Sequence, residues 1–153
     1  MSLDKPIKFT VKGKPPKKSK WGNDNNAKLI ISLRETALKA RREAGYSDYI
    51  DTNIHLKLTV YAPNIVDLEY RQTGNFDEKR PVGDLDALIS GVCDSLWAGP
   101  ILGINKFKPS LLFEDHPDVR PGKPIIVKDD SQIVSISATK EVRDDPSYTV
   151  EIF

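Results

Sequence analysis

Residues 83–98, GDLDALISGVCDSLWA, carry apolar side chains at Leu85, Leu88, Ile89, Val92, Leu96 and Trp97, the three- and four-residue spacing of one face of an amphipathic helix. Asp84 is then the natural N-cap. Asp86 falls in the first turn, where free backbone N–H groups and the helix dipole favour a carboxylate. Asp86, Ser90 and Asp94 recur every four residues and so form one stripe of the polar face. Two carboxylates therefore crowd the helix start, and a third lies two turns further on.

On either side of this helix the pattern changes to alternation. Ile7, Phe9 and Val11 alternate with Lys8, Thr10 and Lys12, which predicts a strand with one apolar and one basic face. Ile54, Leu56, Leu58 and Val60 alternate with His55, Lys57, Thr59 and Tyr61, and Pro63 ends the run. Between them, Asn25 or Asn26 caps a long helix that reaches Ala44 and stops at Gly45. Its apolar side is Leu29, Ile30, Leu33, Ala37, Leu38 and Ala40. Its exposed side is read as basic, with Lys28, Arg34, Lys39, Arg41 and Arg42. After the 83–98 helix, residues 99–124 hold five of the eleven prolines, and they read as a long irregular insertion packed by Phe107, Leu111, Leu112 and Phe113. Residues 125–127 predict a short strand, 128–131 a turn, 132–142 a strand, and Tyr148, Val150 and Ile152 a last one. The expectation is an α+β fold: one domain over 1–153, a single mixed β-sheet of about five strands, covered by two helices.

Composition bounds the function. With 39% hydrophobic and 29% charged residues the chain is ordinary for a globular domain. No apolar run spans a bilayer and no signal peptide opens it, so a cytoplasmic protein without membrane contact is expected. The net charge of +1 conceals an asymmetry: residues 1–46 hold twelve Lys and Arg against four Asp and Glu, and the remainder eleven against eighteen. A basic first third joined to an acidic remainder suits a chain that grips a polyanion and holds a cation, although the halves can equally neutralise each other.

The basic element is Lys12, Lys14, Lys17, Lys18 and Lys20, ending at Trp21. These lysines are candidate phosphate contacts, and Trp21 is either a base-stacking ring or a structural one. The acidic element is Asp84 and Asp86 with Asp94, joined by a second cluster, Lys128-Asp129-Asp130-Ser131. Each cluster has an ordinary explanation as a cap or a turn. Together they offer the oxygen donors a hard divalent cation takes, with water and phosphate completing its shell. No Walker loop, GxSxG elbow or Cys/His pairing competes. Cys93 stands alone, and His55 and His116 are far apart, which argues against zinc.

Four segments in order, Phe9-Thr10-Val11-Lys12-Gly13-Lys14-Pro15, Asp84-Leu85-Asp86-Ala87-Leu88, Cys93-Asp94-Ser95-Leu96 and Asp129-Asp130-Ser131-Gln132-Ile133, resemble the RusA-like Holliday junction resolvases. Members of that family are small dimeric endonucleases that resolve four-way DNA junctions with magnesium. The resemblance implies a RusA-like fold, Mg2+ as cofactor with Mn2+ able to substitute, branched DNA as partner, and a homodimer working in DNA recombination and repair. It assigns catalysis and metal binding to Asp84, Asp86 and Asp130, with Asp129 and Asp94 in or near the metal site. Three positions depart from the pattern. Ala87 stands for the family's Asn, Ser90 for its helix Lys, and residues 99–124 for a short connection. Lys79, Arg80 and Lys128 are the candidates to supply the missing cation and to contact DNA. The rival readings are a catalytically impaired nucleic-acid binder of the same fold, and a structural or interaction domain whose aspartates are only caps and turns.

Overall fold

Alternation sets the sheet. In β1 (Ile7–Lys12) the residues Ile7, Phe9 and Val11 are buried and Lys8, Thr10 and Lys12 are exposed, as the sequence pattern requires. The computed structural model describes residues 3–66, 82–99 and 108–153. Its other strands are β2 (Ile54–Ala62), β3 (Ile133–Val142) and β4 (Ser147–Ile152), and its helices are α1 (Asp24–Glu43) and α2 (Leu85–Leu96). Short 3-10 turns at Leu111–Asp115, Pro117–Val119 and Asp130–Gln132 complete the described elements. The order across the sheet is β1-β4-β2-β3, antiparallel except for the parallel pair β2 and β3. A parallel pair needs a long crossover, and α2 with the residues around it supplies one.

The apolar face of the sheet, formed by Ile7, Phe9, Val11, Leu56, Leu58, Val60, Tyr148, Val150 and Ile152, is buried in one core with α1 and α2. The opposite face is polar. Lys8 and Lys57 both reach Glu151, at 3.6 and 3.8 Å, and the hydroxyls of Thr10 and Thr149 share a hydrogen bond of 2.9 Å. One mixed sheet with two helices in an α+β arrangement is therefore the fold expected from the sequence.

Among the described residues the sheet has four strands rather than about five. Residues 125–127 are fully buried but pair only through the bridge of Ile50 with Val127. The N–H groups of Ile126 and Val127 are instead drawn to the carbonyl of Leu96 at the end of α2, at 3.0 and 3.2 Å. A run of three apolar residues is as suited to packing under a helix end as to a ladder. The cap of α1 also moves. Asn23, not Asn25 or Asn26, accepts from the N–H of Asn26 at 3.0 Å, and Gly45 with φ +97° ends the helix as read.

Two residues assigned to the exposed basic face of α1 lie inside. Arg34 is fully buried and Arg41 is 5% exposed. The Arg34 guanidinium gives its five donors to five carbonyls, those of Ser95 and Trp97 at the end of α2 and of Val119, Arg120 and Lys123 in the segment beyond it. It also lies over the Trp21 ring, 5.1 Å from its centroid. Burial lowers its pKa to about 9, opposed by the charge of Asp94. Arg41 likewise donates to the carbonyls of Ile125, Tyr46 and Ser47.

This arginine orders what the sequence presents as an irregular stretch. Residues 108–124 form only two 3-10 turns, yet Phe113 and Val119 are buried and Phe113 stacks on Trp21 with ring centroids 5.7 Å apart. Leu111 was expected to help pack this segment and instead stays 76% exposed, while Phe107 lies outside the described residues.

Candidate metal and nucleic-acid site

Helix α2 joins the two kinds of candidate residue. At its start Asp84 is the N-cap residue, and its side chain makes no capping hydrogen bond to the helix. Asp84, Asp86 and Ala87 are exposed. Ser90, at the next turn, donates its hydroxyl to the Asp86 carbonyl at 3.0 Å and so adds no positive group there.

Further along, the same polar stripe goes under cover. Asp94 is 9% exposed. Its Oδ2 accepts from the N–H of Ser19 at 2.8 Å and from Trp21 Nε1 at 3.0 Å, and its Oδ1 accepts from Trp97 Nε1 at 3.4 Å. Charged hydrogen bonds of this kind are strong and leave few lone pairs for a cation. Asp94 therefore serves the lysine loop and not the exposed rim.

The loop is fastened at four points. Pro15 and Pro16 are buried, and Pro16 crosses α2 at Gly91, where any Cβ would sit 1.8 Å from the Pro16 carbonyl oxygen. Asn26 accepts from the N–H of Lys17 at 2.7 Å and donates to the carbonyls of Lys17 and Lys20 at 2.9 and 3.1 Å. Asp94 holds Ser19, which takes a left-handed φ of 63°. Trp21 is fully buried, so it anchors the loop and has no face for a base. The side chains of Lys12, Lys14, Lys17, Lys18 and Lys20 all remain exposed on this fixed backbone.

The second acidic cluster divides in the same way. The Asp129 carboxylate accepts from the N–H of Ser131 at 2.9 Å, which caps the turn Asp130–Gln132 and lowers its pKa. Gln132 closes the box by accepting from the N–H groups of Asp129 and Lys128, and its amide donates to the carbonyls of Ile50 and Thr52. Asp130 and Lys128 are left exposed. Asp130 bears electrostatically on Cys93 of α2, whose thiol is pushed up to about 11 by burial first, then by Asp130 and Asp94, with Lys18 opposing. The charges of Asp130 and Lys18 thus act on the same thiol with opposite sign.

Cys93 follows Asp86 by seven residues, a rise of roughly 10 Å. The acidic groups accordingly form a rim along α2. Among the described residues, no three His, Cys, Asp or Glu side chains lie close enough together to hold a metal ion. The donor chemistry nonetheless suits a hard cation, which takes one or two carboxylates and completes its shell with water and phosphate. Asp84 and Asp86 are the pair placed to supply them. Lys79 and Arg80 lie outside the described residues. Neither histidine joins the rim: His55 stacks on Phe153, and His116 pairs with Glu35.

Sequence reasoning missed Arg34, Asn26 and Gly91. Only Gly91 left a signal, as a glycine inside a helical pattern, where it marks close approach of another backbone. Among the described residues, no helix is long and apolar enough to cross a membrane. No protein-family model matches the chain, and no curated protein matches it.

Proposed function

We propose that the protein is a magnesium-dependent, structure-selective endodeoxyribonuclease that cuts four-way DNA junctions, in the manner of the RusA-like resolvases its motifs resemble. One observation carries the reading: the helix that opens with exposed Asp84 and Asp86 is the helix onto which Gly91 and Asp94 lock a loop of exposed lysines. A phosphodiester held by those lysines would lie along a helix whose start bears carboxylates. Asp84 and Asp86 are the proposed direct ligands, Asp130 adds negative charge further along the same rim, and Asp129 acts through the shape of its turn. Magnesium bound there would supply the charge that activates water and stabilises the leaving oxygen. Lys18, whose charge bears on Cys93, joins Lys128 as a candidate to replace the cation absent at Ser90. A two-fold dimer would match two such sites to the symmetry of a junction. Cytoplasmic work in DNA recombination and repair follows from the same resemblance.

The test uses a labelled synthetic four-way junction and a matching linear duplex, each with magnesium, manganese or chelator. Metal-dependent paired nicks in the junction alone are expected, with Asp86→Asn cutting at least about 100-fold more slowly while binding as well as the native chain. Unchanged cutting by that variant would overturn the metal assignment.

Ala87 and Ser90 favour a second reading, a nucleic-acid binder of this fold without cleavage. The Ser90 hydroxyl is spent on its own helix backbone, so the position carries no charge toward a phosphate. That protein would bind the junction under both metals and leave it whole.

A further inference from the structure

The lysines of the loop do not all face the acidic rim. The charge of Lys18 bears on Cys93 of α2. Lys14, Lys17 and Lys20 instead line a separate cleft of about 490 Å³ with Asn23, Asn25 and Asn26, at the start of α1. Among the described residues no carboxylate lines it. The one acidic residue in the first turn of α1, Asp24, accepts a hydrogen bond of 2.7 Å from the Ser110 hydroxyl. Among the described residues none of the three ammonium groups has an ion-pair partner.

Three like charges gathered around one cleft repel each other, and a backbone free to move would separate them. This backbone is not free. Asn26, itself 6% exposed, bonds to Lys17 and Lys20, and Asp94 and Gly91 hold the residues between. The ordering cost of the backbone has been met before any ligand arrives, which is what preorganisation means for affinity. The first-turn N–H groups of α1 add positive potential to the same side.

We infer that this cleft is the site for phosphates flanking the one to be cut: it takes the backbone of a DNA strand, without regard to base, and needs no metal to do so. The inference rests on nucleic acid being the substrate, as proposed above, but not on cleavage. Lysine ammonium groups and the amides of Asn23 and Asn25 meet phosphate oxygens and carry no pattern that distinguishes one base edge from another, while the Asn26 amide is committed to the loop. A cleft of this size also exceeds the need of a single ion, which points to successive phosphates.

The experiment is fluorescence anisotropy in chelator, where nothing is cut, with a labelled 30-base-pair duplex of two unrelated sequences and a salt series. The variant Lys14→Gln/Lys17→Gln/Lys20→Gln is compared with Lys5→Gln/Lys39→Gln/Lys123→Gln, which removes the same charge from exposed positions elsewhere. The cleft variant should bind at least about 10-fold more weakly at moderate salt, equally for both sequences. Its plot of log affinity against log salt should be shallower by about 2 to 3, since each lost phosphate contact removes nearly one unit. The control variant should change affinity less than about 3-fold.

Equal losses in the two variants would overturn the inference, because net charge would then suffice. So would no duplex binding by the native chain, or competition by inorganic tripolyphosphate at the concentration of phosphate groups at which duplex competes, which would make the site one for a small polyphosphate. Failure of the junction-cutting test with success here would remove the nuclease and keep the strand site. The melting temperature of each variant, expected within about 2 °C of the native chain because all six side chains are exposed, shows that folding is intact.

Discussion

Asp86 and Asp94 occupy the same polar stripe of α2 and meet opposite environments. Asp86 stands in solvent beside Asp84, while Asp94 is enclosed by Trp21, Trp97 and the backbone of Ser19. Helical spacing puts them on one line, and what covers each turn decides what each does. The loop of residues 16–21 crosses the stripe at Gly91, so the line runs from water into the protein. A carboxylate on the covered side becomes a fastener, and one on the open side stays available to a ligand. Burial, not spacing, separates structural from chemical aspartates here.

The largest effect expected from breaking this contrast is on stability. Asp94→Ala leaves the buried indole N–H of Trp21 without its acceptor and removes a negative charge that acts on buried Arg34. Removing one partner of such a buried arrangement costs about 3 kcal/mol or more. For a chain of 153 residues that lowers the melting temperature by roughly 6 to 12 °C. Asp86→Asn should change stability by less than about 0.5 kcal/mol, as exposed substitutions do. Denaturant melts of both variants make the comparison, and similar melting for the two would mean that Asp94 does not hold the loop.

How far the sequence foretold these fates follows from the range of the interactions. Leu88, Val92 and Leu96 announce α2, and Leu56, Leu58 and Val60 announce β2, because periodic burial is written in neighbouring residues. Four strands, both helices and the turn at Asp130 were legible in this way. Arg34 was not. A basic residue on an amphipathic helix reads as solvated, and the five carbonyls that satisfy it lie 61 to 89 residues away in sequence. Asp94 was placed on its stripe correctly, but nothing local to it shows that Ser19 and Trp21 would arrive from 75 and 73 residues away. Residues 125–127 are apolar enough for a strand, and the Leu96 carbonyl, again remote, takes the N–H groups of Ile126 and Val127. Exposed candidates such as Asp84, Asp86 and Asp130 were legible as residue types, and their arrangement along a rim was not.

Cys93 offers a smaller and sharper measurement, because it sits between the two environments and reports on both. Its thiol is pushed up to about 11 by burial, then by Asp130 and Asp94, against Lys18. Since only the thiolate reacts, alkylation at pH 8 should run roughly 100-fold slower than for an unhindered cysteine. Asp130→Asn should speed it, Lys18→Gln should slow it, and Asp84→Asn should leave it unchanged. Magnesium bound near Asp130 would speed it as well, a readout that needs no cutting. If Asp130→Asn has no effect, the turn does not face α2 and the rim loses that carboxylate.

The smallest effect belongs to the turn pair, where Asp129 caps the turn and Asp130 next to it lies exposed. Asp129 is fully exposed, yet the backbone N–H of Ser131, and then its hydroxyl, hold its carboxyl below the ordinary 3.8. A depressed acid stabilises the fold while it is ionised: the contribution is complete above 3.8 and disappears as pH falls through the lower folded value. Asp129→Asn keeps a capping oxygen but cannot titrate. The native chain should therefore melt slightly higher than this variant near neutrality, and the gap should close on the acid side. Asp144→Asn removes the same charge from an exposed position outside the turn and is the control. A gap for Asp129→Asn that persists unchanged at the lowest pH would show that the charge on Asp129 contributes nothing to the turn. Asp129 would then be as free as Asp130 to bind a cation, and the turn would present two carboxylates to α2 instead of one.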